Sequence, residues 1–132
     1  MDTSHSQTRY IEALQNARRH ILELVADLDD QQMIGPRLEI VNPLRWEIGH
    51  VAWFQEYWLL RHLLGRAPTQ VTGDTLYDSA KVVHDTRWDL PLPSKAETQI
   101  YMQKVLDQVL DQYAHETLRS SANTERLPHD AA

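Results

Sequence analysis

Apolar residues at Tyr10, Leu14, Ala17, Ile21, Leu24, Val25 and Leu28 return every three or four positions. That period belongs to one face of an amphipathic helix and predicts a helix over about 6–29. Glu12, Arg18, Arg19 and Glu23 lie off the centre of the face and read as solvated surface, with His20 at its edge. Asp27, Asp29 and Asp30 crowd the far end, where carboxylates oppose the helix dipole, so the helix is expected to stop by about Asp30. As a cluster these acids read as surface charge rather than a metal site. Gly35-Pro36 breaks the connection that follows, and Leu38, Ile40 and Val41 are expected to pack back on the bundle.

The next stretch is apolar almost all round. Asn42 suits an N-cap, Pro43 the first helical position and Gly65 the left-handed residue past the end, which predicts a helix over 43–64. Arg61 and His62 place positive charge in its last turn. At 100° per residue His50 shares a stripe with Trp46, Trp53, Phe54 and Tyr57, while Ile48, Val51 and Leu59 lie opposite. Only Arg45, Ala52 and Glu56 interrupt the apolar surface, as a narrow polar strip. Such a helix is expected at the centre of a fold.

Residues 66–93 show no period, yet Tyr77, Trp88 and Leu90 imply a segment that packs down, with a short helix expected around Ser79–Val83. Ser94-Lys95-Ala96-Glu97 is a capping box that opens a third long helix over about 94–118. Met102, Leu106, Val109 and Tyr113 form its seam, and His115 falls on the opposite side. Residues 119–132 are polar and aperiodic and read as a flexible tail. The expectation is therefore an all-α, up-down bundle as one domain, 1–118, with three long helices of a four-helix arrangement.

Composition narrows the chemistry. The chain has 132 residues, a net charge of −6 and no cysteine, which excludes disulfides, thiolate catalysis and Cys-ligated zinc. No basic run points to nucleic acid. No apolar run reaches the ~18 residues of a membrane span. Met1 to Ser6 lacks the features of a signal peptide, so a cytoplasmic protein is expected. His50, set in an aromatic wall, has two readings: a neutral core histidine bonded to a carbonyl or a water, or a metal ligand shielded from solvent. The seven histidines, at 5, 20, 50, 62, 84, 115 and 129, contain no i, i+3 or i, i+4 pair.

Asn42-Pro-Leu-Arg-Trp-Glu-Ile-Gly-His50-Val-Ala-Trp-Phe-Gln-Glu56 resembles the first metal-ligand motif of DinB-like bundles. The likeness is greatest to the N-terminal domain of ergothioneine-synthase-type and selenoneine-synthase-type non-haem iron enzymes. Leu76-Tyr-Asp-Ser79 and Asp85-Thr-Arg-Trp-Asp-Leu-Pro-Leu-Pro93 resemble that group's loop between the second and third helices. The resemblance runs from about residue 10 to residue 118. It implies a four-helix bundle whose iron, or another divalent metal, is held by three histidines, the first of them His50. The other two would come as His-x3-His on a fourth helix, and no such pair occurs in this sequence. The family's C-terminal domain is missing too, so the chain looks like a truncated relative.

Three expectations follow. One is an enzyme fragment related to oxygen-dependent C–S or C–Se bond formation, inactive alone, with no catalytic residue of its own. Another is an interaction module, a homodimer closed along an apolar groove by Leu59, Leu63, Leu106 and Val109, unless the 66–93 loop covers that groove. The last is a metal site built between subunits, with a histidine such as His129 lent across the interface. The small-molecule substrate is not specified by any of them.

Overall fold

The computed structural model describes the backbone of residues 3–130 and the side chains of residues 8–115. Three long helices carry the fold: α1 (Thr3–Val25), α3 (Leu44–Gln55, continued as a π-helix over Glu56–His62) and α5 (Lys95–Asp130). Two short helices, α2 (Asp30–Ile34) and α4 (Gly73–Tyr77), and a 3-10 turn over His84–Trp88 lie in the connections. Among the described residues there are helices and no strands. α3 packs on α5 and on α4, and α1 on α5. Trp46, Tyr77, Met33, Leu60, Met102 and Val105 are wholly buried where they meet.

Local chemistry sets most of the boundaries. Ser94 and Glu97 form the expected box: Glu97 N–H donates to Ser94 Oγ at 3.1 Å and Ser94 N–H to Glu97 Oε1 at 2.9 Å. The Ser94 backbone N–H, with the Ser94 hydroxyl next, holds the Glu97 carboxyl below its ordinary range. Gly65 has φ +70°. Its N–H reaches Arg61 O at 2.9 Å, the bond of an αL stop, and Arg66 N–H reaches back to Leu60 O at 3.0 Å.

Several expectations are corrected. α1 ends at Val25, and Asp29 is not the tail of that helix but the N-cap of α2, in a capping box with Gln32. Pro43, not Asn42, stands at the cap of α3. The Asn42 side chain instead donates to Glu47 and accepts from Arg87 Nη1 at 2.9 Å. The short helix expected at 79–83 is absent; helices form at 73–77 and 84–88. Leu38, Ile40 and Val41 stay exposed. Leu106 is buried at the cleft between α1 and α5, so it does not line the groove assigned to it. The backbone of α5 is helical on to Asp130, past 118, through a stretch with no apolar face to announce it.

The largest correction concerns polar residues on helices. Arg18, expected in solvent, is 5% exposed. It donates to the Met102 carbonyl of α5 and, from Nη2 at 2.8 Å, to Gln55 Oε1 of α3. Desolvation lowers its pKa. Glu56, part of the expected polar strip, is 1% exposed. The true outward side of α3 holds Val51, Phe54, Trp58, Leu59 and Leu63.

Candidate functional site

His50 sits in mid-α3 and is half-buried. Its ring stacks on Trp46 four residues back, with centroids 4.6 Å apart and planes 10° apart. Trp53 and Phe54 lie at 6.1 Å. His50 Nδ1 is 2.7 Å from the Tyr77 carbonyl oxygen. A carbonyl only accepts, so Nδ1 carries the proton, and in the neutral ring Nε2 keeps the free lone pair. An imidazole fixed through one nitrogen by a backbone carbonyl is how a metal-ligating histidine is commonly oriented.

The carbonyl that fixes His50 belongs to the loop, and the loop is seated by Gly49. A Cβ built on Gly49 would fall 2.4 Å from the Tyr77 ring. Only a residue without a side chain lets this phenol lie against α3. An isolated glycine within an apolar helix usually has a packing reason, and that signal was available in the sequence. α4 is held from its other end by Asp74, which accepts from Trp53 Nε1 at 2.8 Å and from Arg61 Nη1 and Nη2 at 2.6 and 3.0 Å. The Arg61 bonds, ahead of every other influence, hold the Asp74 carboxyl below its ordinary range.

The Arg-Trp-Asp-Leu-Pro loop acts as scaffold. Arg87 is buried, lies 4.1 Å over the Trp46 ring and donates to Val82 O at 2.8 Å and to Asn42. Trp88 Nε1 donates to Pro36 O at 3.1 Å, and Asp89 pairs with Arg37 at 3.1 Å. These contacts seat the loop against the N-terminal half of α3, beside the His50 stack.

Beneath the stack is a polar pocket the sequence reading missed. Tyr101 O–H donates to Glu56 Oε1 at 2.8 Å, and Thr69 N–H donates to Glu56 Oε2. Burial, reinforced by the bond to Glu56, pushes the Tyr101 phenol far above its ordinary range. The Tyr77 phenol is pushed up to about 12, chiefly by burial. Thr98 is beside it, but its hydroxyl donates to Ser94 O at 2.8 Å, and the Tyr77 O–H has no partner of hydrogen-bond geometry.

For a metal, the site offers one well-posed nitrogen, and three protein ligands is the usual minimum. Among the described residues no group of three His, Cys, Asp or Glu converges. His20 and His115 are exposed on other helices, His62 is exposed further along the same helix with its ring 5.0 Å from Trp58, and His84 Nε2 lies 3.0 Å from Val41 O. His129 lies outside the residues whose side chains are described. The described donors do not complete a metal site. No helix among the described residues is long and apolar enough to cross a membrane.

Comparison with known proteins agrees with the family resemblance read from the sequence. The sequence pattern of the DinB superfamily matches residues 13–129. The hercynine oxygenase of Mycobacterium tuberculosis is 34% identical over 105 residues, 76% of this chain and 24% of the relative. That of Mycolicibacterium thermoresistibile is 32% identical over 118 residues, 88% of this chain and 24% of the relative. That of Mycolicibacterium smegmatis is 30% identical over 97 residues. The chain thus spans about a quarter of the length of these relatives.

Proposed function

We propose, from the premise that this chain belongs to the DinB superfamily, that it is the His50-bearing helical part of a non-haem iron oxidoreductase. The reaction class is oxygen-dependent C–S or C–Se bond formation, and the chain is not catalytic alone. The observation that supports this most is the His50 geometry: Nδ1 tied to the Tyr77 carbonyl at 2.7 Å, and Nε2 left as the free nitrogen. When bound, iron would supply oxygen activation. The chain's own part is to orient one imidazole, shield it with Trp46 and hold the loop that carries its hydrogen-bond acceptor.

The test is anaerobic titration of the purified chain with Fe(II). Weak binding that disappears in His50→Ala is expected. Tight, stoichiometric iron in the isolated chain would overturn the incomplete-site reading. Binding unaffected by His50→Ala would overturn the ligand assignment.

A second reading is favoured by the uncovered face of α3. Leu59, Leu60, Leu63, Leu64, Val109, Gln112 and Tyr113 line a groove of about 380 Å3 between the π-helical segment and α5. No residue of the 66–93 loop lines it. With Phe54 and Trp58, the exposed apolar surface is on the order of 500 Å2, as large as soluble monomers ordinarily tolerate. A second copy of the chain laid across this face in two-fold symmetry would cover it. Sedimentation at micromolar concentration that showed a lone ~15 kDa species would remove this reading.

A further inference from the structure

Glu56 presents the sharper anomaly. It is a carboxylate at 1% exposure with no cation of the described residues within salt-bridge distance; its described partners are a phenol and one backbone N–H. With only the more distant Arg61 charge to offset it, a carboxylate buried on neutral donors is unfavourable compared with an apolar residue of similar size. The phenol it accepts from ends a run of rings that begins at the candidate site. His50 to Trp46 is 4.6 Å, Trp46 to Tyr77 is 6.5 Å, and Tyr77 to Tyr101 is 6.2 Å with planes 11° apart. All three spacings are those of aromatic rings in contact.

We propose that Tyr101 and Glu56 form a redox-active tyrosine–carboxylate pair, reached from the His50 face through Trp46 and Tyr77, that accepts one oxidising equivalent from a strong one-electron oxidant. The proposal deepens the reading above, because that reading puts oxidising chemistry beside His50.

The chemistry of each ring sets the direction. Trp46 Nε1 donates to the neutral Leu76 carbonyl at 2.6 Å. The Tyr77 hydroxyl has only the neutral Thr98 hydroxyl beside it, which is no base. An oxidised indole or phenol rests as a neutral radical only where a base takes its proton, so neither of these rings offers a resting place. Tyr101 does, because a carboxylate oxygen waits 2.8 Å from its hydroxyl. One electron leaves Tyr101 through Tyr77 and Trp46 to the oxidant. The phenolic O–H bond breaks and its proton passes to Glu56 Oε1. The products are a neutral phenoxyl radical and a protonated Glu56. Tyr101 also lines a cleft of about 360 Å3 with Thr69, Thr72, Glu97 and Lys104. There a small solvent-borne one-electron reductant returns the electron, and Glu56 returns the proton. The arrangement would discharge a misfired oxidation before it damages His50 or Trp46.

The chain's lack of cysteine allows a test without iron. Val51 is exposed and adjoins His50 in sequence, so Val51→Cys can carry a ruthenium-polypyridyl photosensitiser. Flash oxidation in the presence of a sacrificial electron acceptor, followed by freeze-quench electron paramagnetic resonance, reads the radical. The expected result is a long-lived neutral tyrosyl signal, abolished in Tyr101→Phe and reduced several-fold in Glu56→Gln. Tyr77→Phe removes only a hydroxyl beside Thr98, so the fold stays intact; the Tyr101 signal should still fall several-fold. A signal unchanged in Tyr101→Phe, or undiminished in both Glu56→Gln and Tyr77→Phe, would overturn the proposal. Failure of iron titration would leave this experiment untouched, since ruthenium supplies the oxidant. Success of the titration would not rescue a missing tyrosyl signal.

Discussion

The two sides of α3 are almost equally apolar in sequence and have opposite fates. Inward, Trp46, Ile48, Gly49, Ala52, Trp53, Glu56 and Leu60 are buried against α4, α5 and the loops. Outward, Val51, Phe54, Trp58, Leu59 and Leu63 stand 39–69% exposed. The buried side includes a glycine and a glutamate; the exposed side includes a tryptophan and a phenylalanine. What selects the inward side is complementarity. Gly49 gives Tyr77 room, Glu56 meets Tyr101 and Thr69, and Trp53 finds Asp74. The outward side has hydrophobicity but, within the described chain, nothing shaped to meet it.

The sharpest way to break this comparison is a matched pair of leucines. Leu60 is 1% exposed and Leu63 69% exposed. Leu60→Ala should lower the unfolding free energy by about 3 kcal/mol, from lost transfer energy and the cavity left behind. Leu63→Ala should change it by less than about 0.5 kcal/mol. Urea unfolding of both variants decides the matter, and similar losses would mean that the outward face is covered in solution.

A somewhat smaller effect is expected from Gly49→Ala. The added methyl would strike the Tyr77 ring, and overpacking of this kind costs about 2 kcal/mol. The same variant should loosen the His50 imidazole, since the acceptor of its Nδ1–H is the Tyr77 carbonyl. Imidazole nitrogen chemical shifts on the metal-free chain would show this as a change in the His50 tautomer populations. An unchanged His50 spectrum would show that the loop can slide without losing the bond.

The smallest effect is one of pH. Asp74 has a depressed pKa in the folded state, first through its bonds to Arg61. Its contribution is therefore fully present above the unfolded carboxylate value, about pH 4, and fades as pH falls through the lower folded value. The carboxylate is half exposed, so solvent screening keeps the contribution small. The gap in urea midpoint between the natural chain and Asp74→Asn should be modest at neutral pH and narrow on acidification. A gap that widened would reverse the assignment.

The features legible in the sequence were those decided within a few residues. Ser94 and Glu97 announce α5, Gly65 announces the end of the π-helical segment, and the aromatic spacing put His50 beside Trp46. The illegible ones depend on partners far along the chain. Arg18 is buried because it meets Met102, and Glu56 because it meets Tyr101. Periodicity assigns any charged residue on a helix to water, so both were misplaced. Asp29 failed for a different reason: one carboxylate can oppose the end of one helix or cap the start of the next, and the backbone at Gln32 decides which. The membership of the family was legible through the motif around His50, while the roles of Gly49, Tyr77 and Tyr101 required the loop to be seen against α3.

Lys95 has a bearing on the order in which the chain assembles itself. Its ammonium donates to the carbonyls of Val25, Ala26 and Leu28 at 2.7, 3.1 and 2.7 Å, closing the end of α1 from the first turn of α5. Its backbone N–H meets Asp30 at 2.6 Å. As the polypeptide leaves the ribosome, α1 emerges early but its terminal carbonyls have no protein cation until residue 95 follows. A contact so distant in sequence forms late, after loop closure has been achieved. The N-terminal helix should therefore fluctuate on the nascent chain and lock only when the third long helix arrives. A stalled chain ending before residue 95 would leave α1 open to proteolysis, and one extended through α5 would protect it.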